Sequence, residues 1–129
     1  MIVGMGIDLV EIARMRRLLA AQGDRALARL FTDGEVAYAM RRSEPVRHLA
    51  ARVAAKEATF KALSGSAAAR GIGIGWRDME VVVHEDGRPM LMLHGAAECR
   101  ATELAVACSW VTLSHSEGTA AAVVVLERA

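Results

Sequence analysis

The sequence predicts a single α+β domain, with one long central helix packed on antiparallel hairpins. An alanine-rich helical pattern over Pro45–Leu63 is the best-defined element. Two pairs of extended runs are each joined by a short, turn-rich segment, the pattern of hairpins. Helices and extended runs are segregated rather than alternating, which argues against a doubly wound parallel sheet. A length of 129 residues, 53% of them hydrophobic, makes one ordinary domain that can bury a core without disulfides.

Residues 2–8 alternate as a short strand, with Val3, Met5 and Ile7 on one face and Ile2, Gly4, Gly6 and Asp8 on the other. The glycines let a neighbouring backbone come close. From Glu11 to about Gln22 the pattern is helical, with Ile12, Met15, Leu18 and Leu19 on one stripe and Gly23 as the stop. Asp24 can cap a short helix through Phe31, and Thr32-Asp33-Gly34-Glu35 is a capping box for a helix toward Arg42. Pro45 suits the first turn of the long helix. Ser64–Gly75 reads as a loop. Asp78–His84 and Met90–His94 form one hairpin about Glu85–Pro89, and Ala96 to about Val106 is helical again. Ser109–Ser114 and Thr119–Leu126 form a second hairpin across Ser116-Glu117-Gly118.

Composition removes several functions. Sixteen basic against 15 acidic residues and 4% aromatics suit neither a general nucleic-acid binder nor a base-stacking platform. No apolar run reaches the ~18 residues of a membrane span. The opening residues lack a basic n-region and reach Asp8 too soon for a signal peptide. Cys99 and Cys108 fit no zinc or CxxC spacing and read as buried thiols of a reducing, cytoplasmic protein. Charge is uneven: residues 11–61 carry 11 Lys+Arg against 6 Asp+Glu, and residues 62–129 carry 5 against 8. A basic front half suits an anionic partner, with a solvated helix surface as the plainer alternative. Among the 16 basic residues only Lys56 and Lys61 are lysines, and they flank Glu57.

At 100° per residue, Leu49, Val53, Phe60 and Leu63 define the buried stripe of the long helix, and Lys56 falls inside it. Glu57 and Lys61 share its flank in the favourable i, i+4 order. Periodicity alone favours a weak surface ion pair, with Lys56 snorkelling from the apolar face. Asp8 changes that balance, because a carboxylate ending an apolar strand needs a partner, a metal or a helix to cap. Asp8 and Glu57 together would offer two oxygens from two elements. That suits Mg²⁺, which completes its shell with water and substrate phosphates, and is poor for zinc. Lys56 and Lys61 would then neutralise phosphate charge. Thr112-Leu113-Ser114-His115-Ser116 puts two hydroxyls around an imidazole at a strand end, which can bind phosphate or be an exposed turn. No aspartate at suggestive spacing and no G-x-S-x-G support a serine hydrolase. Gly71-Ile72-Gly73-Ile74-Gly75 lacks the dinucleotide spacing, and His48, His84 and His94 lack ligand spacing.

Five blocks in order give a resemblance. Gly4-Met5-Gly6-Ile7-Asp8-Leu9-Val10-Glu11-Ile12, Phe31-Thr32-Asp33-Gly34-Glu35, Arg52–Leu63, Trp76-Arg77-Asp78-Met79-Glu80-Val81 and Leu113-Ser114-His115-Ser116 resemble the holo-[acyl-carrier-protein] synthases. The resemblance spans essentially the whole chain and implies the small, homotrimeric 4′-phosphopantetheinyl transferase type. The implied reaction moves 4′-phosphopantetheine from coenzyme A to a serine of apo-acyl carrier protein, releases adenosine 3′,5′-bisphosphate, and serves fatty acid or polyketide synthesis. By that likeness Asp8 and Glu57 hold Mg²⁺, Lys61 adds positive charge, and Asp8 or Glu57 receives the serine proton. Ser114 and His115 would reach the coenzyme A 3′-phosphate from a neighbouring protomer. Arg52 and Lys56 complete the coenzyme A contacts. Arg14, Arg17 and Arg25 form the dock for the acidic carrier. Two rival readings are a non-catalytic coenzyme A or nucleotide-binding oligomer and a metal-dependent phosphohydrolase.

Overall fold

The computed structural model describes residues 1–64 and 73–129, and the predicted loop over Ser64–Gly75 falls largely outside them. The order is β1 (Ile2–Glu11), α1 (Ile12–Gln22), α2 (Asp24–Leu30), α3 (Asp33–Met40), α4 (Pro45–Ser64), β2 (Met79–Val83), β3 (Pro89–Leu93), α5 (Gly95–Glu103), β4 (Cys108–His115) and β5 (Thr119–Glu127). A short 3₁₀ turn, Trp76–Asp78, leads into β2. Both predicted hairpins form, β2 with β3 and β4 with β5, and β1 pairs antiparallel to β5. The result is a three-stranded sheet, β1-β5-β4, and a separate two-stranded one.

β1 outruns its prediction. Asp8 is not at a strand end, because Leu9, Val10 and Glu11 continue the ladder opposite Ala121, Ala120 and Thr119. Glu11, not Asp8, precedes α1, and no side chain caps that helix. The capping box at Thr32 forms as read: its hydroxyl accepts from the Glu35 amide, and Glu35 accepts from the Thr32 amide at 3.0 Å.

The long helix is more deeply buried than an amphipathic stripe allows. Buried residues run all round α4, including Ala50, Ala54, Ala58, Arg52, Lys56 and Thr59. Small alanines are what permit this, since they let the sheet approach the helix backbone itself. A Cβ added at Gly6 would stand 1.9 Å from the Ala58 carbonyl oxygen, and one at Gly4 would stand 2.1 Å from that of Ala62. No side chain fits there, so β1 lies directly on α4 and Asp8, two residues beyond Gly6, is carried to the flank of the helix.

The opposite face of the three-stranded sheet is uncovered in the single chain. Met5, Ile7 and Leu9 are each more than 60% exposed, and Trp110 is 56% exposed. Both cysteines are exposed free thiols, not the buried ones expected, because each lies on an outward-facing position of α5 or β4.

Candidate active site

β1 and α4 bring Asp8, Glu57 and Lys61 together. Lys61 donates from Nζ to Asp8 Oδ1 and to the Ile7 carbonyl, both at 3.0 Å. The helix pairing suggested by the i, i+4 spacing therefore gives way to a bond across to the strand. The Lys61 side chain is 55% exposed and that of Asp8 only 15%. Asp8 Oδ2 is buried and has no hydrogen-bond partner. Burial, then the neighbouring Asp8 carboxylate, lifts the Glu57 carboxyl to about 7. Burial works against ionisation at Asp8 as well, but the adjacent Glu57 carboxyl and the Lys61 ammonium outweigh it and hold Asp8 below its ordinary value. At neutral pH Asp8 is thus ionised and Glu57 is about half protonated.

The donor set fits magnesium. Two carboxylates lie close enough to shift each other's ionisation, an oxygen of Asp8 is buried without a partner, and a lysine stands beside them. Among the described residues no cluster of three or more His, Cys, Asp or Glu side chains could hold a metal, so the ion's remaining positions would fall to water or substrate.

Two openings meet at Glu57. One is a groove whose floor includes Leu18, Leu30 and Val53 and whose rim carries Arg14, Arg17 and Arg29. Arg25, one of the expected dock residues, is exposed on α2 and does not line it, while Arg29 one turn later does. The other is a cavity of about 400 Å³ walled by Phe60, Ile74, Trp76 and Met79, with Lys61 at its edge. Trp76 lines both.

Lys56 is the main correction. It neither snorkels nor presents its charge to a phosphate. Its side chain is wholly buried, and Nζ donates to Glu35 Oε1 at 2.7 Å, the Met79 carbonyl at 2.7 Å and the Trp76 carbonyl at 2.9 Å. An ammonium has three donors, so none remains for a ligand. Glu35, also fully buried, accepts from the Val81 amide with its other oxygen at 3.0 Å. This ion pair pins the start of α3 and the Trp76–Val81 segment to α4. Sequence spacing could not disclose it, because the partners are 21 residues apart on different helices.

Arg52 stands five positions before Glu57, about 140° around the helix, and faces a different cleft. There it meets Tyr38, Arg47, His48 and His115. The Arg52 and Arg42 guanidiniums lie 4.4 and 4.1 Å from the centre of the Tyr38 ring. Nε of Arg52 and Nε of Arg47 are buried without partners. Burial, and then the charges of Arg52, Arg42, His115 and Arg47, hold His48 below the ordinary histidine range. Arg47 pairs with Glu44 at 2.8 Å, but Arg52 and Arg42 have no acidic partner among the described residues, so the cleft keeps an excess of positive charge that suits an anion. Sequence reading does not nominate Tyr38, Arg47 or His48, because a lone tyrosine, one arginine among many and a histidine without ligand spacing carry no local signal. His115 is exposed at the end of β4, and Ser114 beside it is also exposed.

The comparisons decide the family. A profile described as the 4′-phosphopantetheinyl transferase superfamily matches residues 4–124. The chain belongs to that superfamily. It is 46% identical over 125 residues to a holo-[acyl-carrier-protein] synthase of Moorella thermoacetica, covering 95% of this chain and 91% of that protein. A Mycobacterium tuberculosis acyl carrier protein synthase structure superposes with TM-score 0.74 at 42% identity, covering all of both chains. A Bacillus anthracis holo-(acyl-carrier-protein) synthase, solved in complex with coenzyme A (3′,5′-ADP), gives TM-score 0.77 at 32% identity, with 100% and 99% covered. The α+β architecture is therefore the superfamily's own, and the chain is a phosphopantetheinyl transferase. Its arginine-lined cleft at Arg52 shares no lining residue with the two openings at Glu57.

Proposed function

We infer that this chain transfers 4′-phosphopantetheine from coenzyme A to a serine hydroxyl of apo-acyl carrier protein, with magnesium at Asp8 and Glu57. The observation that carries the reading is Glu57, at the junction of an arginine-rimmed groove and an apolar cavity, beside Asp8 and its buried carboxylate oxygen. In the reaction the serine Oγ forms a bond to the phosphorus bearing the pantetheine arm. The bond from that phosphorus to the bridging pyrophosphate oxygen breaks, and adenosine 3′,5′-bisphosphate departs with the electron pair. The serine proton passes to Glu57 or Asp8. When bound, the ion supplies charge neutralisation to the pyrophosphate. Lys61 adds a movable positive charge beside it. Arg14, Arg17 and Arg29 suit an acidic carrier, whose serine would descend the groove to Glu57. A phosphohydrolase of the two-metal kind would need further acidic ligands, which are absent among the described residues.

The working unit is a homotrimer with each site at a protomer interface. The uncovered apolar face built by Met5, Ile7, Leu9, Val123, Val125 and Trp110 supports this, since such faces mark association surfaces. So does the separation of the two half-sites on one chain. A neighbour's Arg52–His115 cleft would hold the 3′-phosphate while this chain's carboxylates hold the pyrophosphate. No helix of the described residues is long and apolar enough to cross a membrane. Two exposed free thiols suit the reducing cytoplasm, where coenzyme A is found.

Incubation with coenzyme A, magnesium and apo-carrier, followed by mass spectrometry of the carrier, should show the gain of one phosphopantetheine. An unchanged carrier mass at saturating substrates sinks the reading. In the same assay Arg14→Glu should raise the carrier KM by about tenfold at low salt and leave the coenzyme A KM nearly unchanged.

A further inference from the structure

Cations crowd the cleft at Arg52 without the acids that ordinarily hold them. Arg52 is 2% exposed, yet no carboxylate pairs with it or with Arg42 among the described residues. One Arg52 terminal nitrogen donates to the His48 carbonyl at 3.3 Å, and its Nε is buried without a partner. A buried charge is costly unless something compensates it. An acid would do so, but it would also cancel the charge that the cleft presents to an anion. The chain places Tyr38 there instead. Its ring centre lies 4.4 Å from the Arg52 guanidinium and 4.1 Å from that of Arg42. His48 meets the same ring edge-on, with ring centres 5.9 Å apart. Local spacing prepares this convergence: Tyr38 and Arg42 stand four positions apart across the end of α3, and His48 and Arg52 four positions apart on α4.

We propose that Tyr38 is a positioning residue for coenzyme A selection: its ring holds the Arg52 guanidinium in the cleft without neutralising it, so that the 3′-phosphate meets preformed, uncompensated charge. An aromatic face attracts a cation through its quadrupole and carries no net charge. The ring therefore offsets part of the cost of burying Arg52 and leaves the positive charge of the cleft intact. It also gathers two guanidiniums that would otherwise repel each other. Arg42 is exposed and does not line the cleft, so its part is to pack on the ring that Arg52 shares. The phosphate then supplies the counter-charge that the protein withholds. Holding the guanidinium in advance raises affinity, because a mobile arginine would have to be ordered on binding. Tyr38 acts through Arg52 and touches no reacting atom. Its effect falls on the choice between a phosphate and a hydroxyl at the 3′ position.

This role rests on reading the Arg52–His115 cleft as the 3′-phosphate site, and its test does not depend on turnover. Calorimetry would compare coenzyme A with 3′-dephospho-coenzyme A, which differ in that phosphate alone. Both ligands would be measured on the intact wild type, Tyr38→Phe and Tyr38→Leu. The wild type should bind coenzyme A more tightly than its dephospho form. Tyr38→Leu should raise the Kd for coenzyme A about tenfold and change that for the dephospho form by less than about twofold. Tyr38→Phe keeps the ring and should stay within about twofold of wild type for both ligands. If Tyr38→Leu melts early, Tyr38→Glu gives the same comparison, because an acid there holds the arginines by pairing with them. It should weaken coenzyme A at least as much and spare the dephospho form. A folded leucine or glutamate variant with the wild-type preference, equal losses for both ligands, or a phenylalanine variant as weak as the leucine one would overturn the role. A wild type that binds the two ligands alike would refute the cleft reading, and the role with it. Failure of the transfer reading itself would show separately, as a wild-type protein that leaves the carrier mass unchanged.

Discussion

Replacing Glu57 with glutamine should cut carrier loading by about two orders of magnitude or more, and should also make the free protein slightly more stable above neutral pH. The first effect follows from losing one of two carboxylates that hold and orient the pyrophosphate. The second follows from the carboxyl's raised value of about 7, caused by burial and by Asp8. In the unfolded chain Glu57 loses its proton near the ordinary glutamate value, whereas in the folded chain it keeps it up to about 7. Between those values the native state binds more protons, so this group's contribution to stability falls as pH rises through that window. By pH 8 the folded protein carries two adjacent carboxylates, and glutamine removes one of those charges. Partial exposure and Lys61 soften the repulsion, so the expected gain in Tm is small, on the order of a degree or two. The gain should shrink toward pH 5, where Glu57 is protonated anyway. Melting curves at both pH values without divalent ions, beside the loading assay, make the check. A Glu57→Gln protein that loads carrier normally at limiting magnesium would refute the site. One that is less stable than wild type only at pH 8 would refute the electrostatic account.

Two inactive chains should rescue each other. Glu57→Gln disables the carboxylate half-site, and His115→Ala disables the anion cleft, which shares no lining residue with it on one protomer. In a ring each complete site joins one chain's Glu57 to a neighbour's His115. With equal random mixing, about one interface in four has both residues intact, so co-refolded mixtures should reach up to roughly a quarter of wild-type activity. Mixtures as inactive as the parents, despite demonstrated subunit exchange, would mean that each site is built within one chain. A monomer in sedimentation would refute the shared site directly.

Much of this protein was legible before any coordinates. Alanine content and Pro45 marked α4, turn residues marked both hairpins, and the spacing at Thr32 and Glu35 marked the capping box, because these signals act over a few residues. The pairing of Gly4 and Gly6 with Asp8 on one strand face was also local, since alternation requires only a period of two. Asp8, Glu57 and Lys61 could be nominated from sequence, but not their bonds. Lys61 turned from its helix neighbour to a strand 53 residues away. Lys56 turned from solvent to Glu35 on another helix, because a charge carried into the core on a helix buried all round must find its partner there. The anion cleft gathers Tyr38, Arg47, His48, Arg52 and His115 from three separate elements, a convergence no spacing rule encodes. Local sequence determined which elements form and which side chains carry charge. Tertiary packing decided which of those charges meet, because desolvation and close approach act between segments remote in the chain.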